Sequence, residues 1–189
     1  MKRLWSPWRS QYIAGFADSA RQGRGKKRCI LCSAARAHRD SSRLAPTKSQ
    51  LRRGKSSRSQ DEKNFILWRG KHCFMIMNRY PYNSGHLMVV PYKHVPSLTQ
   101  LTDDEHLEIL HAIQRSLRAL ESTVSPHGFN IGVNLGRVSG AGIDDHVHYH
   151  VVPRWSGDTN FMPIFADVKV ISEDMKKTWK KLRKAIKSP

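Results

Sequence analysis

The sequence predicts an α+β domain: a largely antiparallel sheet, one long helix packed on it, and a second helix at the C-terminus. Two observations carry that class. Short β-branched and aromatic runs, divided by Gly- and Pro-bearing turns, precede and follow a single helical stretch, as strands before and after one helix would. A last stretch after Ser172 is amphipathic at helical period.

In chain order, residues 1–13 hold Leu4-Trp5-Ser6-Pro7-Trp8-Arg9. Two tryptophans are costly to leave in water, so this arm is expected to dock on the domain or on a second subunit. Cys29-Ile30-Leu31-Cys32 follows a basic linker. Three readings compete for it: a redox dithiol, half of a metal site, or two buried thiols. No βαβ pattern surrounds the pair, which weakens the first, and downstream histidines could complete the second. From about Ala37 to Lys63 the chain is rich in Ser, Arg and Lys with no structural period, and reads as a poorly ordered basic insertion: a solvated loop or an electrostatic arm.

Phe65–Trp68 and Cys73–Asn78 read as strands around the Arg69-Gly70-Lys71 turn, and a second turn, 81–85, leads to strand Leu87–Pro91. Thr102-Asp103-Asp104-Glu105 is a capping box with acids at the positive end of the helix dipole. Leu107, Leu110, Ile113, Leu117 and Leu120 are expected to form the core stripe of that helix, which stops at Ser125-Pro126-His127-Gly128. Phe129–Leu135 is a further strand and Val168–Ile171 a short one. Ser172-Glu173-Asp174 opens a final helix with Met175, Trp179, Leu182 and Ile186 on one face and lysines around the rest. Such a helix either binds an acidic surface or is simply solvated.

At 189 residues the chain is expected to form a single domain, residues 1–189. The 33 basic and 15 acidic side chains give a net charge of +18, a field that attracts nucleotides, nucleic acid or acidic membrane surfaces without choosing among them. Three cysteines do not make a disulfide framework. No apolar run approaches a membrane span and the N-terminus lacks an apolar signal core, so a cytoplasmic location without a membrane span is expected.

His146-Val147-His148-Tyr149-His150-Val151-Val152-Pro153 reads as a strand whose three histidines share one face. His146 and His150 would lie roughly 13 Å apart, too far for one metal with bonds of about 2 Å. At least one histidine therefore has a separate task. The preceding loop, Asn134 to Asp145, holds three glycines, which let backbone N–H groups approach an anion closely.

The His-Val-His-Tyr-His-Val-Val-Pro segment resembles the signature of the histidine-triad (HIT) family of nucleotidyl hydrolases and transferases. The following Arg154-Trp155-Ser156-Gly157-Asp158-Thr159-Asn160-Phe161-Met162-Pro163 and the N-terminal segment look like its diadenosine-tetraphosphate phosphorylase branch. The resemblance covers roughly residues 1–13 and 64–171, plus the cysteine pair. It implies a HIT-like fold, usually dimeric, and a structural zinc ion held by Cys29, Cys32, His94 and His146, with His72, Cys73 and His86 as substitutes. His86 is otherwise read as structural. It also implies that His148 attacks the α-phosphate to form a nucleotidyl-histidine, with His150 on a phosphate oxygen or the leaving group. Ile76 would line the base pocket, Asn78 would bind the ribose, and Asn134, Ser139, Gly140 and Gly142 would serve the phosphates. Many family hydrolases carry a glutamine near the place of Gly142; its absence here favours phosphate as the acceptor.

Two hypotheses follow. The first is an enzyme that cleaves dinucleoside polyphosphates at the α-phosphate. The second is a nucleic-acid-associated protein that grips a backbone with its basic segments and acts on adenylated DNA or RNA ends, and a steep salt dependence of DNA binding would favour it.

Overall fold

The computed structural model describes residues 29–36, 60–158 and 173–187. Its strands are β1 (Ile66–Arg69), β2 (Cys73–Met77), β3 (Leu87–Pro91), β4 (Gly128–Val133) and β5 (Tyr149–Arg154). Its α-helices are α1 (Ile30–Arg36), α2 (Asp103–Val124) and α3 (Met175–Lys187). The sheet runs β1-β2-β3-β5-β4 and each neighbouring pair is antiparallel. This is the α+β arrangement expected, with the long helix and the C-terminal helix both present. The N-terminal arm, residues 37–59 of the insertion and Val168–Ile171 lie outside the described residues.

Register divides the sheet into two faces. Ile76 pairs with Met88 and Met88 with His150, so these three side chains share a face with Phe74 and Val90. Met75, Val89 and Tyr149 point the other way. On that second face α2 and α3 close the larger core, in which Met75, Leu87, Val89, Ile109, Leu120, Val151, Trp179, Leu182 and Ile186 are buried together. The first face is covered by α1, whose Leu31 and Ala35 pack on Ile66, Phe74, Ile76, Met88 and Val90.

The capping box of α2 is formed: the Glu105 amide donates to the Thr102 hydroxyl and the Glu105 carboxylate accepts from the Thr102 amide. The core stripe of α2 differs from expectation. Ile109, Ala112, Ile113, Ser116, Ala119 and Leu120 face the sheet, whereas Leu107 and Leu110 are 54% and 56% exposed. Small residues at 112, 116 and 119 let the helix approach the sheet closely, so the buried face is centred about one residue away from the leucine ladder. Gly85 serves the same contact: its φ is +79°, and a Cβ there would stand 3.1 Å from Leu120 Cδ2.

Two further boundaries move. The insertion ends before Lys63, because residues 60–63 are helical and Asp61 is buried between two guanidinium groups, 2.9 Å from Arg69 and 3.4 Å from Arg183. Arg69 also donates to the carbonyls of Ala34 and Ala35, tying the C-terminal turn of α1 to the sheet. The histidine strand begins late, at Tyr149, and leaves His146 and His148 ahead of the ladder. Its neighbour β3 reaches Pro91, which has no N–H to donate, and the Val147 amide bonds to Val95 instead.

Candidate active site and metal centre

Cys29 and Cys32 flank the first turn of α1, His94 follows β3, and His146 ends the glycine loop. The fold brings one donor atom from each within 4.8 Å of the others. Both sulfurs stand 3.4 Å from His146 Nδ1; Cys32 Sγ is 3.3 Å from His94 Nδ1, and the two Nδ1 atoms are 3.2 Å apart. Tetrahedral zinc, with bonds of about 2.0 Å to nitrogen and about 2.3 Å to sulfur, would set such edges at about 3.3–3.6 Å. The remaining ring nitrogens are also accounted for. His146 Nε2 donates to the Pro91 carbonyl at 2.9 Å, which leaves its Nδ1 as a lone pair aimed at the cluster, and the Asp145 carboxylate lies 3.5 Å from His94 Nε2. Burial holds His146 below the usual imidazole pKa, in the form a metal requires. The four residues therefore fit a metal ion. The substitutes fall elsewhere: His72 and Cys73 lie outside the cluster, the Cys73 thiol being pushed up by burial and the nearby Glu108 carboxylate, and His86 is buried beside His150.

The other two histidines of the motif lie next to this cluster. His148 Nδ1 donates to the His146 carbonyl at 2.8 Å, so a neutral ring carries its lone pair on Nε2. Burial lowers the His148 pKa and keeps that ring neutral. His150 has the opposite polarity, set by a chain of hydrogen bonds. The Tyr82 amide can only donate, and it does so to His86 Nδ1 at 3.1 Å. A neutral His86 then carries its proton on Nε2, which donates to His150 Nδ1 at 3.0 Å. His150 in turn presents Nε2–H. Two imidazoles with ring centroids 4.9 Å apart thus offer one lone pair and one N–H, the complement needed for nucleophilic substitution with a charge-stabilising donor.

The two rings line a cleft that opens to solvent. Ile76, Asn78, Asn134, Gly140 and Gly142 line it as well. Ser139 does not; it sits in the loop's 3-10 turn and its hydroxyl donates to the Gly136 carbonyl at 2.7 Å. That turn is bounded by Gly136 and Gly140, both at positive φ. The sequence reading missed Ile30 and Leu31 of α1, Met88, Tyr80, Tyr82 and Ile143. Met88 could have been found, since it alternates with the buried Leu87 and Val89 on β3, and Tyr80 and Tyr82 flank a proline in the turn before that strand. Nothing local announces that the residues between the two cysteines form a wall of the cleft.

The HIT domain matches residues 59–157, and the chain belongs to that family. It is 36% identical over 178 residues to a protein of Mycobacterium tuberculosis named AP-4-A phosphorylase, covering 94% of this chain and 80% of that one. A Schizosaccharomyces pombe protein named bis(5'-nucleosyl)-tetraphosphatase (asymmetrical) is 30% identical over 93 residues, 49% of this chain and 50% of that protein. Among solved structures, a zinc-bound histidine triad family protein from Mycobacterium smegmatis superposes with a TM-score of 0.58 at 23% identity, covering 86% of this chain and 95% of that one, a likeness of fold.

Proposed function

We propose that this protein is a nucleotidyltransferase that cleaves dinucleoside polyphosphates, of which diadenosine tetraphosphate is the type, at the α-phosphate. The observation that carries the reading is the opposed polarity of His148 and His150 in one cleft. The relatives named for tetraphosphate phosphorylase and tetraphosphatase activities support the substrate class. His148 Nε2 attacks the α-phosphorus and an N–P bond forms as the P–O bond to the outgoing nucleoside polyphosphate breaks. The proton on Nδ1 stays shared with the His146 carbonyl, which stabilises the positive charge on the ring. His150 Nε2–H supports the departing oxygen, and the glycine loop borders the phosphoryl group at Gly140 and Gly142. Phosphate or water then attacks the same phosphorus and releases His148.

Asn78 at the end of β2 is proposed for the ribose, and Ile76 with Met88, Leu31 and Ile143 for the base. Cys29, Cys32, His94 and His146 would hold zinc in a closed set with no open position, so its part is structural: it joins α1, the segment after β3 and the first histidine. A homodimer is part of the proposal. Ile131 on edge strand β4 pairs with Val151 and so lies on the α2 face, where Leu107 and Leu110 are also exposed; a second copy would cover them.

The test is product analysis with diadenosine tetraphosphate. ADP and ATP formed only when phosphate is supplied identify a phosphorylase, whereas AMP and ATP without phosphate identify a hydrolase. No turnover of dinucleotide under either condition would defeat the proposal.

A further inference from the structure

The lysine face of α3 is not explained by the cleft: no residue of α3 lines it, and α3 packs on the opposite face of the sheet. The helix, MKKTWKKLRKAIK, contains no acid. Lys176, Lys177, Lys180, Lys181 and Lys184 are exposed and, at 3.6 residues per turn, fall within an arc of about 140°. The two acids of residues 173–187 precede the helix and are engaged there: Glu173 accepts from Thr178 and pairs with Lys181, and Asp174 accepts from the amides of Lys176 and Lys177.

We infer that this face is a docking surface for a nucleic-acid backbone, separate from the cleft. A basic amphipathic helix can instead lie in a membrane interface, but that mode needs its apolar face. Here Trp179, Leu182 and Ile186 are buried in the protein core, and Trp179 Nε1 donates to the Ile66 carbonyl at 3.0 Å. Only charge is presented to the outside. Lys176, Lys180 and Lys184 form a row about 12 Å long. One strand of B-form DNA sets a phosphate about every 3.4 Å along its axis, so the row faces about three or four phosphates. A rigid helix holds these three lysines about 6 Å apart along its axis without ordering a loop, and the net charge of +18 favours the encounter.

The test uses the full-length protein and fluorescein-labelled single- and double-stranded oligonucleotides of about twenty nucleotides, titrated with salt. Wild type should bind with a steep inverse dependence on salt. Lys176→Gln/Lys180→Gln/Lys184→Gln should weaken binding at least about 10-fold at about 50 mM salt and flatten the log–log slope by about two. Arginine at the same three positions should keep the affinity, and the charge-matched control Lys63→Gln/Lys71→Gln/Lys93→Gln should stay within about 3-fold. Dinucleotide turnover should be the same in all four proteins. No binding by wild type, equal loss in the control, or full binding by the glutamine variant would overturn the inference. So would tighter binding to phosphatidylserine vesicles than to the oligonucleotides, which would make the face a membrane contact.

Discussion

The two faces of the sheet solve different problems with the same strands. The face under α2 and α3 is closed mainly by apolar side chains, Trp179 among them, and its burial is non-directional. The face under α1 buries imidazoles. His86, His146 and His148 are nearly or fully enclosed, and each has at least one ring nitrogen bonded to backbone or to another imidazole. Hydrophobic packing tolerates rearrangement at a graded cost, whereas a chain of tautomers works only if every member is placed. On the proposed function one face sets stability and the other chemistry, and substitutions should separate them.

The largest separation is expected from His148→Ala. It should reduce nucleotidyl transfer at least about 10⁴-fold while the protein stays folded and binds nucleotide, and an alkaline quench of the wild type should trap α-phosphate label on His148. A labelled adduct on the folded variant would refute the assignment. Next is the cluster of Cys29, Cys32, His94 and His146, proposed to hold a structural zinc ion. Cys32→Ser should abolish stoichiometric zinc in elemental analysis and destabilise the fold by about 4 kcal/mol, read as a fall in Tm.

On the opposite face, Leu120→Ala should cost about 3 kcal/mol in denaturant unfolding yet leave kcat near wild type under folding conditions. A kcat loss as large as the stability loss would mean that the faces are coupled. His86 sharpens the comparison from the other side. His86→Leu keeps much of the volume but removes the donor to His150, so kcat should fall about 30-fold with KM nearly constant. His86→Gln, which can both accept from the Tyr82 amide and donate to His150, should recover most of the rate; a purely packing role for His86 would not produce that pattern.

The smallest effect lies at the start of α2. Thr102→Ala should cost about 1 kcal/mol and leave catalysis alone. The Glu105 carboxylate is held below its ordinary pKa of 4.5, first by the Thr102 amide, so its contribution is present above that value and lost as pH falls through the lowered one. Thr102→Ala keeps that amide, so its gap to wild type should stay nearly constant with pH, whereas the stability curves of wild type and Glu105→Gln should converge in that acidic range; a Glu105→Gln gap that does not close would place the cost elsewhere.

What the sequence by itself determined was local. The strands between Ile66 and Pro91, the capping box, the amphipathic α3 and the alternation of His148 and His150 depend on neighbours within a turn or two, and periodicity shows them directly. The helix phase was less legible: Leu107 and Leu110 are apolar at the right spacing, but the small residues at 112, 116 and 119 decided which side could come close to the sheet. Tertiary structure alone decided the rest. It made Ile30 and Leu31 a wall of the cleft and buried Asp61 between two arginines, and it brought together Cys29, Cys32 and His146, which only the family resemblance had grouped. It also set the proton on His150 through the Tyr82 amide and His86. These contacts arise from sheet register and from how α1 lies across it. Register is a collective property of paired strands, so no segment read alone contains it.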